Sequence, residues 1–250
     1  MNSSKILEAV NKNQNNKIRL AASDIDGVLR GKVILKDKFN EIAESSFGFC
    51  DVIFGWDVGD TCYTNSETTG WHTAYPDAKA TVDLSSFREI PWNQDLPFFL
   101  VDFEQDAKMS KTTCGRSLLK SIIEQAKAMD YCPLFGQEFE WFNFLGDPKD
   151  LAKKQFSELD PITSGMFGYS LLRPSQYQPY FNDLFDLLAK FNIPLEGLHT
   201  ETGPGVYEAA IRYDQILRAA DKAILFKNSV KEIAYKHGIV ATFMAKWSQE

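Results

Sequence analysis

The sequence predicts an α+β fold, and three observations predict it. Two apolar runs, residues 18–22 and 28–35, flank Asp26-Gly27, a strong short-range hairpin signal. Residues 117–129 and 178–191 carry apolar side chains at helical spacing. A second pair of strand-like runs, 195–201 and 206–213, is joined by Thr202-Gly203-Pro204-Gly205. Hairpins and helices in separate runs, rather than alternating strand and helix, make a mixed antiparallel architecture.

In chain order, residues 1–16 are polar and Asn/Lys-rich, a start expected to be poorly ordered. The first hairpin is followed by a short helix over 38–46, a short apolar strand over 51–54, and a long ordered loop over 61–80, rich in turn formers and aromatics. Residues 97–103 form another apolar strand, closing a small domain over 17–105. The polar stretch 106–113 marks a boundary, and the second domain runs over 106–250. There, Leu118, Leu119, Ile122, Ile123 and Ala126 define one helix face, and 134–144 is an aromatic-rich strand. Phe181, Leu184, Phe185 and Leu188 share the face of the next helix, which Pro194 ends. After the second hairpin, a long helix over 214–237 stops at Gly238, and 239–244 is a last apolar strand.

The 250 residues suffice for a core without disulfides or a structural metal. A net charge of −7 repels phosphate backbones, so nucleic acid is not an expected partner. It is compatible with a nucleotide held through metal ions, which reverse the local sign. Cys50, Cys62, Cys114 and Cys132 form no C-x-x-C pair; they fit buried thiols of a reducing cytoplasm, with Cys114 and Cys132 as packing residues around a helix. No signal peptide and no apolar run of about 20 residues is seen, so a cytoplasmic protein without a membrane partner is expected. His72, His199 and His237 are scattered and read as structural residues, and no phosphate-cradling glycine loop occurs.

The informative residues are carboxylates. Glu138 and Glu140 lie two apart on one strand, which places both on one face, beside Phe139, Trp141, Phe142 and Phe144. Paired carboxylates in an aromatic setting repel each other and lose hydration, and a cation is the usual compensation. Glu201 ends one strand of the second hairpin and Glu208 lies in the next, so the four can meet in space. An all-oxygen cluster of this kind suits Mg²⁺ or Mn²⁺. Taken alone, a Glu-x-Glu strand is more often a solvated face.

Four segments then carry a family pattern. Phe135-Gly136-Gln137-Glu138-Phe139-Glu140-Trp141-Phe142, Glu201-Thr202-Gly203-Pro204-Gly205-Val206-Tyr207-Glu208 and the A-T-F-M-x-K run 241–246 resemble the metal strand, the hairpin and a later strand of glutamine synthetases, in the family's order. Asp24-Ile25-Asp26-Gly27-Val28-Leu29-Arg30-Gly31-Lys32 is similar to the hairpin opening the N-terminal domain of one branch. The resemblance implies a small N-terminal β-grasp domain followed by an incomplete glutamine synthetase-type catalytic domain of antiparallel strands and helices. It implies two or more Mg²⁺ or Mn²⁺ ions per site, with Glu140, Glu201 and Glu208 on one and Glu138 on another. It places Glu196 near the nucleotide and Tyr213 near the adenine, with ATP as co-substrate. It gives Asp57, with Asp60 as rival, to the ammonium site of a neighbouring subunit in a homo-oligomeric ring.

The implied reaction phosphorylates the side-chain carboxylate of glutamate and lets ammonia or an amine attack the acyl phosphate. Val206 replaces the family's hairpin glutamine, and the G-S-G-x-H-x-H segment has no counterpart, so this reads as the front of a longer chain, inactive alone. Two rivals stand beside it. Asp24-Ile25-Asp26-Gly27 also resembles the first motif of haloacid dehalogenase-type phosphatases, with Asp24 as nucleophile and Asp26 as acid/base. A synthetase-like module kept as a non-catalytic scaffold is the other.

Overall fold

The computed structural model describes residues 2–103 and 113–248. Most of the polar stretch 106–113, and with it the expected boundary at 105, lies outside the described residues. The chain divides into two compact units, residues 1–133 and 134–250.

The first unit opens with helix α1 (Ser3–Lys12), where a poorly ordered start is expected from polarity. The Asn2 side chain caps it by accepting from Lys5 N, and Ile6 and Val10, one turn apart, are buried. Strands β1 (Lys17–Ser23) and β2 (Leu29–Leu35) form the expected antiparallel hairpin. Helix α2 (Lys36–Ile42) ends earlier than expected, and β3 (Ser46–Cys50) follows. Residues 51–54 form a 3₁₀ turn, not a strand. Asp51 is buried there and accepts from Thr69 Oγ1 at 2.7 Å. The expected loop over 61–80 ends in a strand, β4 (Asp77–Val82), paired with β3. The short β5 (Arg88–Ile90) and the buried β6 (Leu96–Phe103) complete a sheet of order β2-β1-β6-β4-β3, with β5 also on β6. β1 and β6 run parallel, the central pair of a β-grasp arrangement. Phe39 stacks on Phe99 at 4.9 Å, and Cys114 belongs to the same core.

Helix α3 (Gly115–Ala128) makes its contacts within this unit. Charge holds it to β6: Arg116 bonds Asp83 at 2.7 Å and also Asp102, and Lys120 reaches both carboxylates. Burial opposes ionisation of Asp83, but the hydrogen bond from Ser85 and the Arg116 and Lys120 charges outweigh it and hold the carboxyl down at about 2. Because that lies below the ordinary value of 3.8, the stabilisation is fully present above pH ~4 and fades as pH falls toward 2. Asp83→Asn is therefore expected to cost about 1–2 kcal/mol at neutral pH. In urea titrations, the gap from the parent should close near pH 2.

Asp24 does not sit as a phosphatase nucleophile would. Its buried carboxylate accepts from Asp26 N (3.0 Å), Val28 N (2.8 Å) and Arg30 Nε (2.8 Å), which closes the hairpin turn. The strands on either side of it, β1 and β2, pair antiparallel as a hairpin, where that fold has a parallel sheet with alternating helices.

The second unit is built on β7 (Leu134–Leu145), followed by α4 (Pro148–Lys153), β8 (Asp160–Pro161), α5 (Leu172–Gln176) and α6 (Gln178–Lys190). Then come β9 (Leu195–Thr200), β10 (Val206–Gln215), α7 (Ile216–Lys236) and β11 (Ile239–Thr242). The sheet order is β11-β7-β10-β9, antiparallel throughout, with β8 on β7. One sheet face is closed by α6 and α7. Trp141 meets Phe226 at 5.6 Å and Tyr207 at 5.9 Å, ring edge to face. His237 does read as structural: its Nε2 lies 2.8 Å from Asp183 Oδ2, tying α7 to α6. Cys114 is buried as expected, but Cys132 is exposed. Among the described residues, no helix is long and apolar enough to cross a membrane.

Candidate divalent-cation site

Side chains alternate along a strand, so burying Trp141, Tyr207 and Ala209 under the helices turns their neighbours to the open face. On β7 those neighbours are Glu138 and Glu140, and on β10 they include Glu208. The register sets Glu140 directly opposite Glu208, and Glu208 directly opposite His199 on β9. Glu138 stands one step along, opposite Ala210. Glu201 follows the last residue of β9, where the chain turns through residues 202–205 toward β10.

The groups that come closest are His199, Glu201 and Glu208, which offer ligand atoms all within 4.8 Å of one another. His199 Nδ1 lies 4.0 Å from Glu201 Oε2 and 3.2 Å from the Thr200 carbonyl oxygen. Partial burial pushes the Glu208 carboxyl above its ordinary value. His199 opposes that rise, and the charges of Glu140, Glu138 and Glu201 add to it. Glu201 moves the other way, because the backbone N–H and hydroxyl of Thr202 stabilise its ionised form. Three carboxylates bearing on Glu208 with one imidazole among them form a donor set short of positive charge, and a hard divalent cation fits it.

His199 is the residue that the sequence reading passed over as structural. Its signal was present: His199 and Glu201 are two apart, as Glu138 and Glu140 are.

The other expected residues fall at irregularities of the same sheet or in the other unit. Glu196 is exposed and lies in a bulge of β9, where Ala210 pairs with Gly197 and Ile211 already pairs with Leu195. Tyr213 lies in a bulge of β10, between Ile211 opposite Gln137 and Asp214 opposite Phe135, and is 56% exposed. Bulges re-aim side chains beside functional sites. The buried Lys222 anchors this one through Asp214 Oδ2 (2.9 Å) and the Arg212 carbonyl (3.3 Å). Asp57 belongs to the first unit, and its carboxylate accepts from Gly59 N (2.8 Å) and Thr61 N (2.9 Å), shaping its own turn. Asp60 pairs with Arg30 at 2.6 Å.

Comparison with known proteins matches residues 112–250 to the glutamine synthetase catalytic domain. The chain is 52% identical over 229 residues to type-1 glutamine synthetase 2 of Dictyostelium discoideum, covering 92% of this chain and 44% of that protein. It is 36% identical to a glutamate–isopropylamine ligase of a Pseudomonas species, covering 98% of this chain and 54% of that protein. It also superimposes on a solved structure titled GmaS/ADP complex with a TM-score of 0.77 at 21% identity, covering 96% of this chain and 51% of that one. The chain thus spans about half the length of the curated relatives it matches. By the catalytic-domain match and by these identities, the chain belongs to the glutamine synthetase family of ligases.

Proposed function

We propose that these residues supply the cation-holding sheet of an ATP-dependent ligase that joins ammonia or an amine to the side-chain carboxylate of glutamate. The observation that carries this reading is the convergence of His199, Glu201 and Glu208 on the open sheet face, with Glu140 in register beside them. The names of the two relatives, a glutamine synthetase and a glutamate–isopropylamine ligase, support both acceptor classes.

Mg²⁺ or Mn²⁺ bound there would neutralise charge on a transferred phosphoryl group. The chain's own part is to hold Glu140, Glu201 and Glu208, with His199 beside them, around one cation and Glu138 beside the next. Two neighbouring cation positions then lie across three adjacent strands, β9, β10 and β7. Glu196 and Tyr213, each lifted by a bulge, are assigned to the nucleotide. Asp57 is assigned to the ammonium or amine site of an adjoining subunit in a homo-oligomeric ring, and the protein to the cytoplasm. A γ-glutamyl phosphate intermediate follows from the chemistry, since a carboxylate must be activated before an amine displaces its oxygen. Shielding from water is required, or the acyl phosphate hydrolyses.

Mn²⁺ titration calorimetry on the purified chain tests the reading. The parent should bind Mn²⁺, and Glu208→Ala should lower the affinity by roughly 100-fold, with Glu140→Ala weakening it about tenfold. Undiminished Mn²⁺ binding by Glu208→Ala would refute the assignment.

A further inference from the structure

Residues 165–173 lie as a strap along the end of β9, the strand that carries His199 and leads into Glu201. One residue fastens it. Tyr169 N donates to the Thr200 carbonyl at 2.7 Å, and Ser170 N donates to Thr200 Oγ1 at 2.9 Å. Thr200 Oγ1 in turn donates to the Phe167 carbonyl at 3.0 Å. Thr200 is only 2% exposed, so water does not compete for these bonds. The approach is close: a Cβ on Gly168 would lie 3.1 Å from Thr202 Oγ1 and 3.5 Å from Thr202 N. The strap also closes on itself, with the Arg173 guanidinium 4.3 Å above the Phe167 ring and Arg173 N donating to Ser170 Oγ at 3.2 Å.

What this fastening achieves locally is the placement of one ring. Tyr169 stacks on the His199 imidazole with centroids 4.4 Å apart and planes 27° apart. Tyr169 is itself 72% exposed, so the stack adds little to the core. Its effect is on His199, whose ring plane is covered on one side by Tyr169 while Nδ1 is engaged by the Thr200 carbonyl. A ligand imidazole must present one nitrogen at a set angle, and the groups that fix its plane and tautomer govern affinity nearly as strongly as the ligands do.

We infer that Thr200 is a positioning residue for the divalent-cation site: it holds Tyr169 against His199, so that the imidazole keeps its edge toward the carboxylates of Glu201 and Glu208. This rests on the reading of that cluster as a cation site.

The test is Mn²⁺ binding by the purified chain, read from the free-ion EPR signal, with the melting temperature recorded for each variant. Thr200→Val removes the hydroxyl at nearly constant volume, and Tyr169→Leu removes the stacked ring from an exposed position. Both are expected to weaken Mn²⁺ binding by about tenfold. Tyr169→Leu should leave the melting temperature near that of the parent, and Thr200→Ser, which keeps the hydroxyl, should restore the parental affinity. If Thr200→Val does not fold, Tyr169→Leu decides. Parental affinity in Tyr169→Leu, with binding lost in His199→Ala, overturns the positioning role and leaves the cation site standing. A parent that takes up no Mn²⁺, or a His199→Ala variant that binds as the parent does, overturns both.

Discussion

Gly205→Ala is expected to be the most damaging single-methyl change in the second unit. Gly205 is buried at φ +67°, and an added Cβ would stand 2.5 Å from the Asn143 carbonyl oxygen and 3.0 Å from Pro161 Cβ. That oxygen is not free to retreat, because it accepts from Ile162 N at 3.0 Å. Gly205 is also fixed on its own side: its N–H donates to Thr163 Oγ1, and its carbonyl accepts from Asn143 N at 2.8 Å and Asn143 Nδ2 at 3.0 Å. The positive φ adds strain of about 1 kcal/mol for any L side chain. Displacing backbone in a buried, fully bonded turn brings the total to about 3–5 kcal/mol. Chemical denaturation of the variant should show that loss. Since the turn connects Glu201 to Glu208, Mn²⁺ affinity should fall with it even in the fraction that folds.

Asn143→Leu is expected to cost a similar amount by a different route. Asn143 is wholly buried, and its Oδ1 accepts from Trp141 Nε1 at 2.9 Å and from Tyr180 OH at 2.8 Å. Leucine matches the volume but removes the shared acceptor of the indole N–H and the Tyr180 hydroxyl, and one donor to the Gly205 carbonyl. Trp141 Nε1 still donates to Tyr180 OH at 3.3 Å, so the penalty falls short of the full sum, while the Tyr180 hydroxyl proton is left without an acceptor. Orphaned buried polar groups cost about 1–3 kcal/mol each, which puts the loss at about 3–5 kcal/mol. Replacing Tyr180 by Phe in the same background should recover part of it, because one orphan is then removed. An additive double variant would show that the three groups do not form one network.

The hairpin over Lys17–Leu35 was legible because Asp26-Gly27 names its turn, and the Glu138/Glu140 row because strand periodicity is strict. The elements that were hidden had weaker signals. Helix α1 shows only Ile6, Leu7 and Val10 among polar residues, so its buried stripe is too thin to see without the sheet it covers. Residues 51–54 are a short apolar run, and such runs carry no period that separates a strand from a 3₁₀ turn. β4 alternates Ala78, Ala80 and Val82 with Asp77, Lys79 and Thr81, and alanine is too small to register as an inward face. At the site, the carboxylates were found by chemistry, whereas His199 needed its cross-strand partner Glu208 to be recognised.

Three of the donor groups, His199, Glu201 and Glu208, lie within ten consecutive residues of a single hairpin. Bringing them together therefore closes a very short loop, and the entropy cost of such closure is small compared with that of joining distant segments. The donor triangle is a local invention of one turn and two strand ends, not a product of the whole chain. A unit of that kind can keep its three donors together whatever segments distant along the chain contribute beside it.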